Sequence, residues 1–169
     1  MILLNAIPYV AMAARRNAAM GVSVLVADGF VSGLVLAPIL FMASVVAPMI
    51  VPAALLLSGM VFAAVTVYVF TAERTFSAPR GLMVGMFASI LGAIVLNSFL
   101  HIGALGILIA AAIGIMGVLA LIYATSGILS NPMASSPIPG ALMLFAGLFN
   151  VFVAILNILL RLQSSSRRD

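Results

Sequence analysis

The sequence predicts an all-α, polytopic transmembrane helical bundle, with five full spans and one short or partial span at the N-terminus. Two observations predict it. Of 169 residues, 66% are hydrophobic and 6% charged, which is too little polar surface for a soluble domain of this length. The ten charged residues are also confined: eight lie in short gaps between apolar runs or in the C-terminal tail, Arg161 stands at the very end of the last run beside that tail, and only Asp28 sits well inside a run. A charge in the hydrocarbon core costs about 2.5–3.5 kcal/mol even on the lenient insertion scale, so charges mark where a chain leaves the bilayer.

A spanning helix needs about 20 mostly apolar residues. Residues 1–14 fall short of that and contain Asn5 and Pro8, so they form the short or partial span. Residues 18–40 make a full span ending near Pro38. Residues 41–52, with Pro48 and Pro52, break helical continuity and return the chain. Residues 53–70 form the third span, and Glu73, Arg74, Ser77, Pro79 and Arg80 mark a water-facing loop. Residues 81–100 form the fourth span, 101–103 leave room only for a tight connection, and 104–129 form the fifth. Residues 130–140 hold three prolines, three serines and Asn131, a composition that satisfies its backbone in water or headgroups. Residues 141–162 are the last span, before a short polar tail at 163–169. The whole chain, 1–169, reads as a single transmembrane domain.

Composition excludes several classes of function. The net charge of +4 rests on seven arginines and no lysine, placed at membrane boundaries with no interleaved aromatics, so nucleic acid is not an expected partner. Cysteine is absent, which removes disulfides, thiolate metal sites and cysteine nucleophiles. No cleavable signal is expected, since Arg15 and Arg16 follow the first apolar run instead of preceding it. The eleven methionines and ten phenylalanines are spread among the spans as gap fillers or lipid-facing groups, and neither a haem nor a quinone site can be built from them. No cofactor is expected. Arg15 and Arg16 share a side with Arg74 and Arg80 if each helix crosses once, and the arginine bias places that side inward. By the same parity the tail, with Arg161, Arg167 and Arg168, emerges opposite, against the rule.

Lipid offers no hydrophobic drive between helices, so small residues that allow close approach must hold them together. In the fourth span Gly81, Gly85, Ser89, Ala93 and Asn97 recur every fourth residue, and in the fifth Gly106, Ala110 and Gly114 do the same. Both series are expected to be helix-packing faces. In the last span Gly147, Asn150, Ala154 and Asn157 are expected to share a face that points two amides into the bundle.

Asp28 is the intramembrane ionisable group, a functional candidate by default. It reads as a proton or cation site, with Asn150 and Asn157 as further polar candidates, or as an acid hydrogen-bonded to a neighbouring helix. His101 at a membrane boundary reads as an interfacial hydrogen-bonding residue, since a metal site needs further ligands. Gly21-Val22-Ser23-Val24 is superficially similar to the serine motif of intramembrane proteases, with His101 as its sole available base, but a nucleophile requires a positioned partner. No catalytic residue, no metal site and no enzymatic activity are expected.

From Gly29 onward the chain resembles the transmembrane Bax-inhibitor motif family, which has bacterial and mitochondrial branches. Gly29-Phe30 through Gly33 to Ala37-Pro38-Ile39-Leu40 is similar to the family's third span and its Gly-Pro-Ile-Leu exit. Tyr68-Val69-Phe70-Thr71 is similar to the end of the fourth span. Tyr123-Ala124-Thr125-Ser126 is similar to the Tyr-Asp-Thr-Gln element of the sixth. Leu144-Phe145-Ala146-Gly147-Leu148-Phe149-Asn150-Val151-Phe152 is similar to the Leu-Tyr-x-Asp-x-x-Asn-x-Phe of the last. The resemblance implies six helices around the C-terminal one, in a degenerate, shortened version that lacks the first span, begins within the second and leaves a missing wall. It also implies an activity, a pH-sensitive calcium or proton leak using two facing acids. At the matching positions stand Ala124 and Gly147, so both acids are lost.

The function expected is accordingly that of a non-catalytic structural or accessory subunit of a larger complex, respiratory or ATP synthase. The expected partners are the lipid bilayer and other membrane-protein subunits met through helix faces. The mitochondrial inner membrane is favoured as its location, by analogy with the family's organellar branch, with the bacterial inner membrane as the alternative. The alternative function is the family's leak, retained through Asp28 and the Asn150 and Asn157 face.

Overall fold

The structure, a computed structural model, describes residues 18–72, 75–76, 80–130 and 138–166. The expected short span at 1–14 lies outside them. Every described element is an α-helix: α1 (Ala18–Val46), α2 (Ile50–Thr71), α3 (Arg80–Leu100), α4 (Gly103–Ser130) and α5 (Ile138–Ser166). Four of these are long and apolar enough to cross a membrane, while α3 offers a shorter apolar stretch, Val84–Leu100. The chain is thus a polytopic helical membrane protein.

Three boundaries, each next to a proline, differ from the sequence expectation. Helix α1 does not stop near Pro38 but carries it internally and continues to Val46. Proline removes one N–H and strains one turn, yet in hydrocarbon an unwound backbone has no water to turn to, so the helix persists. Only residues 47–49 separate α1 from α2, and Pro52 falls in the first turn of α2, where a missing N–H costs nothing. In the same way Pro139 falls in the first turn of α5, which begins at Ile138 and not at residue 141.

Contacts fix the topology. Gly21 of α1 lies against Ile138, and Leu36 and Ala43 cluster with Phe152, Val153 and Leu156, so α1 and α5 run side by side in one direction. Helix α2 runs the other way: Ala54 joins that same cluster, whereas Val65 and Val69 pack with Leu121 and Val151. Helix α4 is likewise antiparallel to α5, with Ile128 beside Gly140, Gly117 beside Gly147, Gly114 beside Ala154 and Gly106 beside Arg161. Helix α5 is the hub, packed on α1, α2 and α4, whereas α3 packs on α4 alone among the described helices. The C-terminal helix is therefore central, as the resemblance implied, with α1, α2 and α4 around it. The start of α1, the α2–α3 connection and the start of α5 share one end of the bundle. Residues 47–49, His101–Ile102 and the end of α5 share the other, so Arg161 stands opposite Arg80.

The expected packing face of α3 needs correction. Gly81, Gly85 and Ser89 are exposed, and among the described residues a Cβ added at Gly81 or Gly85 would meet nothing within 4 Å. The face turned to α4 is centred on the buried Ile90 instead, with Ala93 and Asn97 half-buried. The reason is geometric. At 3.6 residues per turn a four-residue step advances about 400°, so each step winds the series about 40° around the helix and Gly81 ends about 160° from Asn97. Five such residues cannot share one flat contact. The three-residue series on α4 winds half as far, and it does pack: Gly106 and Ala110 are buried and Gly114 lies on Ala154.

Candidate functional site

Asp28 sits on the buried stripe of α1. That stripe runs through Gly21, Asp28, Ser32, Leu36 and Ala43, while intervening residues such as Val26, Phe30 and Leu34 are exposed. The acid is 1% exposed and Ser32, one turn on, is 2% exposed. Ten residues into the 29-residue α1, Asp28 lies about 15 Å from the helix start and about 27 Å from its end. From the pairing of Gly21 with Ile138 it stands level with the Phe145 turn of α5. Its Oδ1 is buried and accepts no hydrogen bond among the described residues.

At the same depth α4 and α5 make their closest approach. A Cβ on Gly117 would stand 2.8 Å from the Gly147 carbonyl oxygen, and one on Gly147 would stand 3.0 Å from the Gly117 carbonyl oxygen and 3.0 Å from Leu121 Cγ. Ala124, one turn from Leu121, is 4% exposed. The two positions where the resemblance implied acids are thus on adjoining parts of one sealed interface. Neither a carboxyl group nor a bound cation fits at Gly147 in this packing. Gly117 was missed by the sequence reading, although it continues the Gly106, Ala110, Gly114 series by one three-residue step.

The two asparagines of α5 part company. Asn150 is buried at 7% exposure. Asn157 is half-buried, and its Nδ2 donates to the Val153 carbonyl of its own helix at 2.8 Å, so one of its two N–H donors is used locally. The same economy recurs in α2, where Ser58 donates to Ala54 (2.6 Å) and Thr66 to Phe62 (2.8 Å). Such back-bonding satisfies a hydroxyl inside its own helix.

A second missed feature closes one end of the bundle. The backbone N–H of Phe76 donates to Ser126 Oγ at 2.8 Å, and the Phe76 ring packs on the Val65, Val69, Leu121 and Val151 cluster, 5.7 Å from the ring of Tyr68. Phe76, within the α2–α3 connection, is therefore pinned onto the end of α4. Sequence composition marked it as a water-facing loop and carried no signal for the anchor, except that Ser126 is a buried hydroxyl beside Thr125, whose own Oγ1 has no partner among the described residues.

Ser23 and His101 do not meet. Ser23 is near the start of α1, whereas His101 lies in the α3–α4 turn at the opposite end of the bundle. His101 is exposed, adopts a left-handed φ of 52° and places Nδ1 3.2 Å from the Phe99 carbonyl. Such a residue terminates a helix. Beside it, Arg161 of α5 extends Nη1 to the Gly103 carbonyl at 3.4 Å, with its guanidinium lying over Gly106.

Comparison with known proteins agrees with this bundle. The chain is 28% identical over 147 residues to the uncharacterized protein Cj0236c of Campylobacter jejuni; the match covers 86% of this chain and 63% of that protein, so the chain spans less than two thirds of its relative. No solved structure matches. The family model described as inhibitor of apoptosis-promoting Bax1 matches residues 1–165, and the chain belongs to that Bax inhibitor family.

Proposed function

We propose that this protein is a non-catalytic structural or accessory component of a larger membrane assembly. The observation that carries the reading is the Gly117–Gly147 contact. Where a pair of acids would need space for two carboxyl groups and an ion, two backbones touch instead, and Ala124 adds a methyl group to the same seal. That arrangement stabilises helix packing and offers no group for ion chemistry. The connections at 47–49 and 101–102 are too short to form anything outside the bilayer, so partners would meet the chain mainly through helix faces, of which α3 leaves the widest uncovered. The membrane proposed is an energy-coupling one, the mitochondrial inner membrane or, in keeping with the bacterial relative, a bacterial inner membrane. Mild solubilisation followed by native electrophoresis and mass spectrometry tests the reading. A discrete assembly larger than the chain, with reproducible co-purifying subunits, is the expected result, and migration as a free monomer overturns it.

A second reading, a calcium or proton leak of the family type, is favoured by one specific observation, the buried Asp28 with its unpartnered oxygen. Purified protein in liposomes loaded with a calcium or pH dye separates the readings. A flux abolished by Asp28→Asn supports the leak, and dye traces identical to empty liposomes remove it.

A further inference from the structure

We propose that Asp28 is a cation-accepting site within the bilayer, its Oδ1 taking a proton or a small hard metal cation. The carboxyl group is 1% exposed, about 15 Å along an apolar helix, and Oδ1 accepts no hydrogen bond among the described residues. An ionised carboxylate left alone at that depth costs at least about 2.5–3.5 kcal/mol, so the site demands positive charge from somewhere. The helices packed against α1 do not supply it. On α5 the described cation is Arg161, about 24 Å along the helix from the Phe145 level and extended toward the Gly103 carbonyl. On α2 the titratable side chain is Tyr68, which is 52% exposed and stacked on Phe76. Helix α1 itself carries no other charged residue. One turn along the same buried stripe is Ser32, 2% exposed. Its hydroxyl oxygen is a second hard ligand of the kind that oxygen-preferring cations use. A basic side chain would have been the simplest neutraliser; the stripe provides oxygen alone.

This inference deepens the leak reading, but occupancy can be read without flux. The full chain in liposomes is treated with the apolar reagent dicyclohexylcarbodiimide, which reacts with a protonated carboxyl group in an apolar setting, and adducts are located by peptide mass spectrometry. An adduct on Asp28 that declines from acidic to alkaline pH and disappears in Asp28→Asn is the expected result. Parallel samples in calcium, sodium or choline chloride at equal ionic strength distinguish the sources. Suppression by calcium or sodium but not choline identifies a metal cation, and equal labelling in all three identifies the proton. Absence of the Asp28 adduct at acidic pH in folded protein overturns the proposal, as does equal labelling at every pH. Asp28→Asn is also expected to melt within a few degrees of wild type. A large loss of thermal stability together with no labelling would reveal an ion pair with a basic group instead. Labelled Asp28 in a chain that passes no ions keeps the site and removes the leak.

Discussion

Adding one methyl group at Gly117 measures the interface that stands where the acids are lost. In Gly117→Ala the new Cβ would lie 2.8 Å from the Gly147 carbonyl oxygen, 2.9 Å from Val151 Cγ2 and 3.0 Å from the Val151 nitrogen, where ordinary contacts begin at 3.4 Å. Two of those three atoms are backbone and cannot rotate away, so α4 and α5 must part locally by about 0.5 Å, enough to forfeit a quarter or more of each neighbouring contact. Gly85→Ala is the matched control, because no described residue lies within 4 Å of its Cβ. Both changes carry the same gain in helix propensity, up to about 1 kcal/mol, so their difference isolates the overpacking cost of about 1–3 kcal/mol. Thermal unfolding in detergent reads it, at about 2–4 °C per kcal/mol for a chain of this size. Gly117→Ala is expected to melt several degrees below Gly85→Ala. Equal melting temperatures would refute the close approach and, with it, the account of why no acid fits at Gly147.

Other substitutions probe separate parts of the same bundle. Gly106→Ala displaces the Arg161 guanidinium, the far end of a flexible side chain, so its cost should stay under about 1 kcal/mol and vanish in an Arg161→Ala background, as a double-mutant melting cycle would show; undiminished cost there would place the strain in the backbone. Ser126→Ala removes the acceptor for the Phe76 N–H and should raise amide exchange at Phe76 by roughly fivefold, for a hydrogen bond worth about 1 kcal/mol, with unchanged exchange counting against the pinned Phe76. His101→Gly relieves a left-handed backbone and should stabilise the α3–α4 turn by about 1 kcal/mol; a lower melting temperature would mean that the imidazole contributes more than its conformation costs.

The fold was legible in the sequence because hydropathy and charge report on the solvent that each segment meets. Bilayer-length apolar runs and the Glu73–Arg80 neighbourhood placed the helices to within a few residues. Prolines misled where membrane physics outweighs local propensity: Pro38 lies within α1, and Pro52 and Pro139 open helices instead of ending loops. Small-residue spacing was informative over two steps, as in Gly106, Ala110 and Gly114, and misleading over four, as in Gly81 through Asn97, because the winding of a four-residue series accumulates. The asparagines show a different limit. Their spacing put Asn150 and Asn157 near one face, but spacing carries nothing about whether an amide bonds across to a neighbour or back to its own helix, as Asn157 does.

Asp28 and Gly147 illustrate opposite solutions to one problem, the scarcity of solvation at mid-membrane. At Gly147 the polar side chain has been dispensed with, and the space it would occupy is taken up by the Gly117 backbone, so that position is committed to packing. On α1 the reverse holds: the stripe that faces α5 retains a carboxyl group and a hydroxyl amid small and apolar residues, at the same level of the bundle. Leucine or alanine at 28 would pack as well and spare the chain the burial of a polar group. The accessory role proposed above therefore rests on the α4–α5 contact, and the cation site proposed at Asp28 rests on α1.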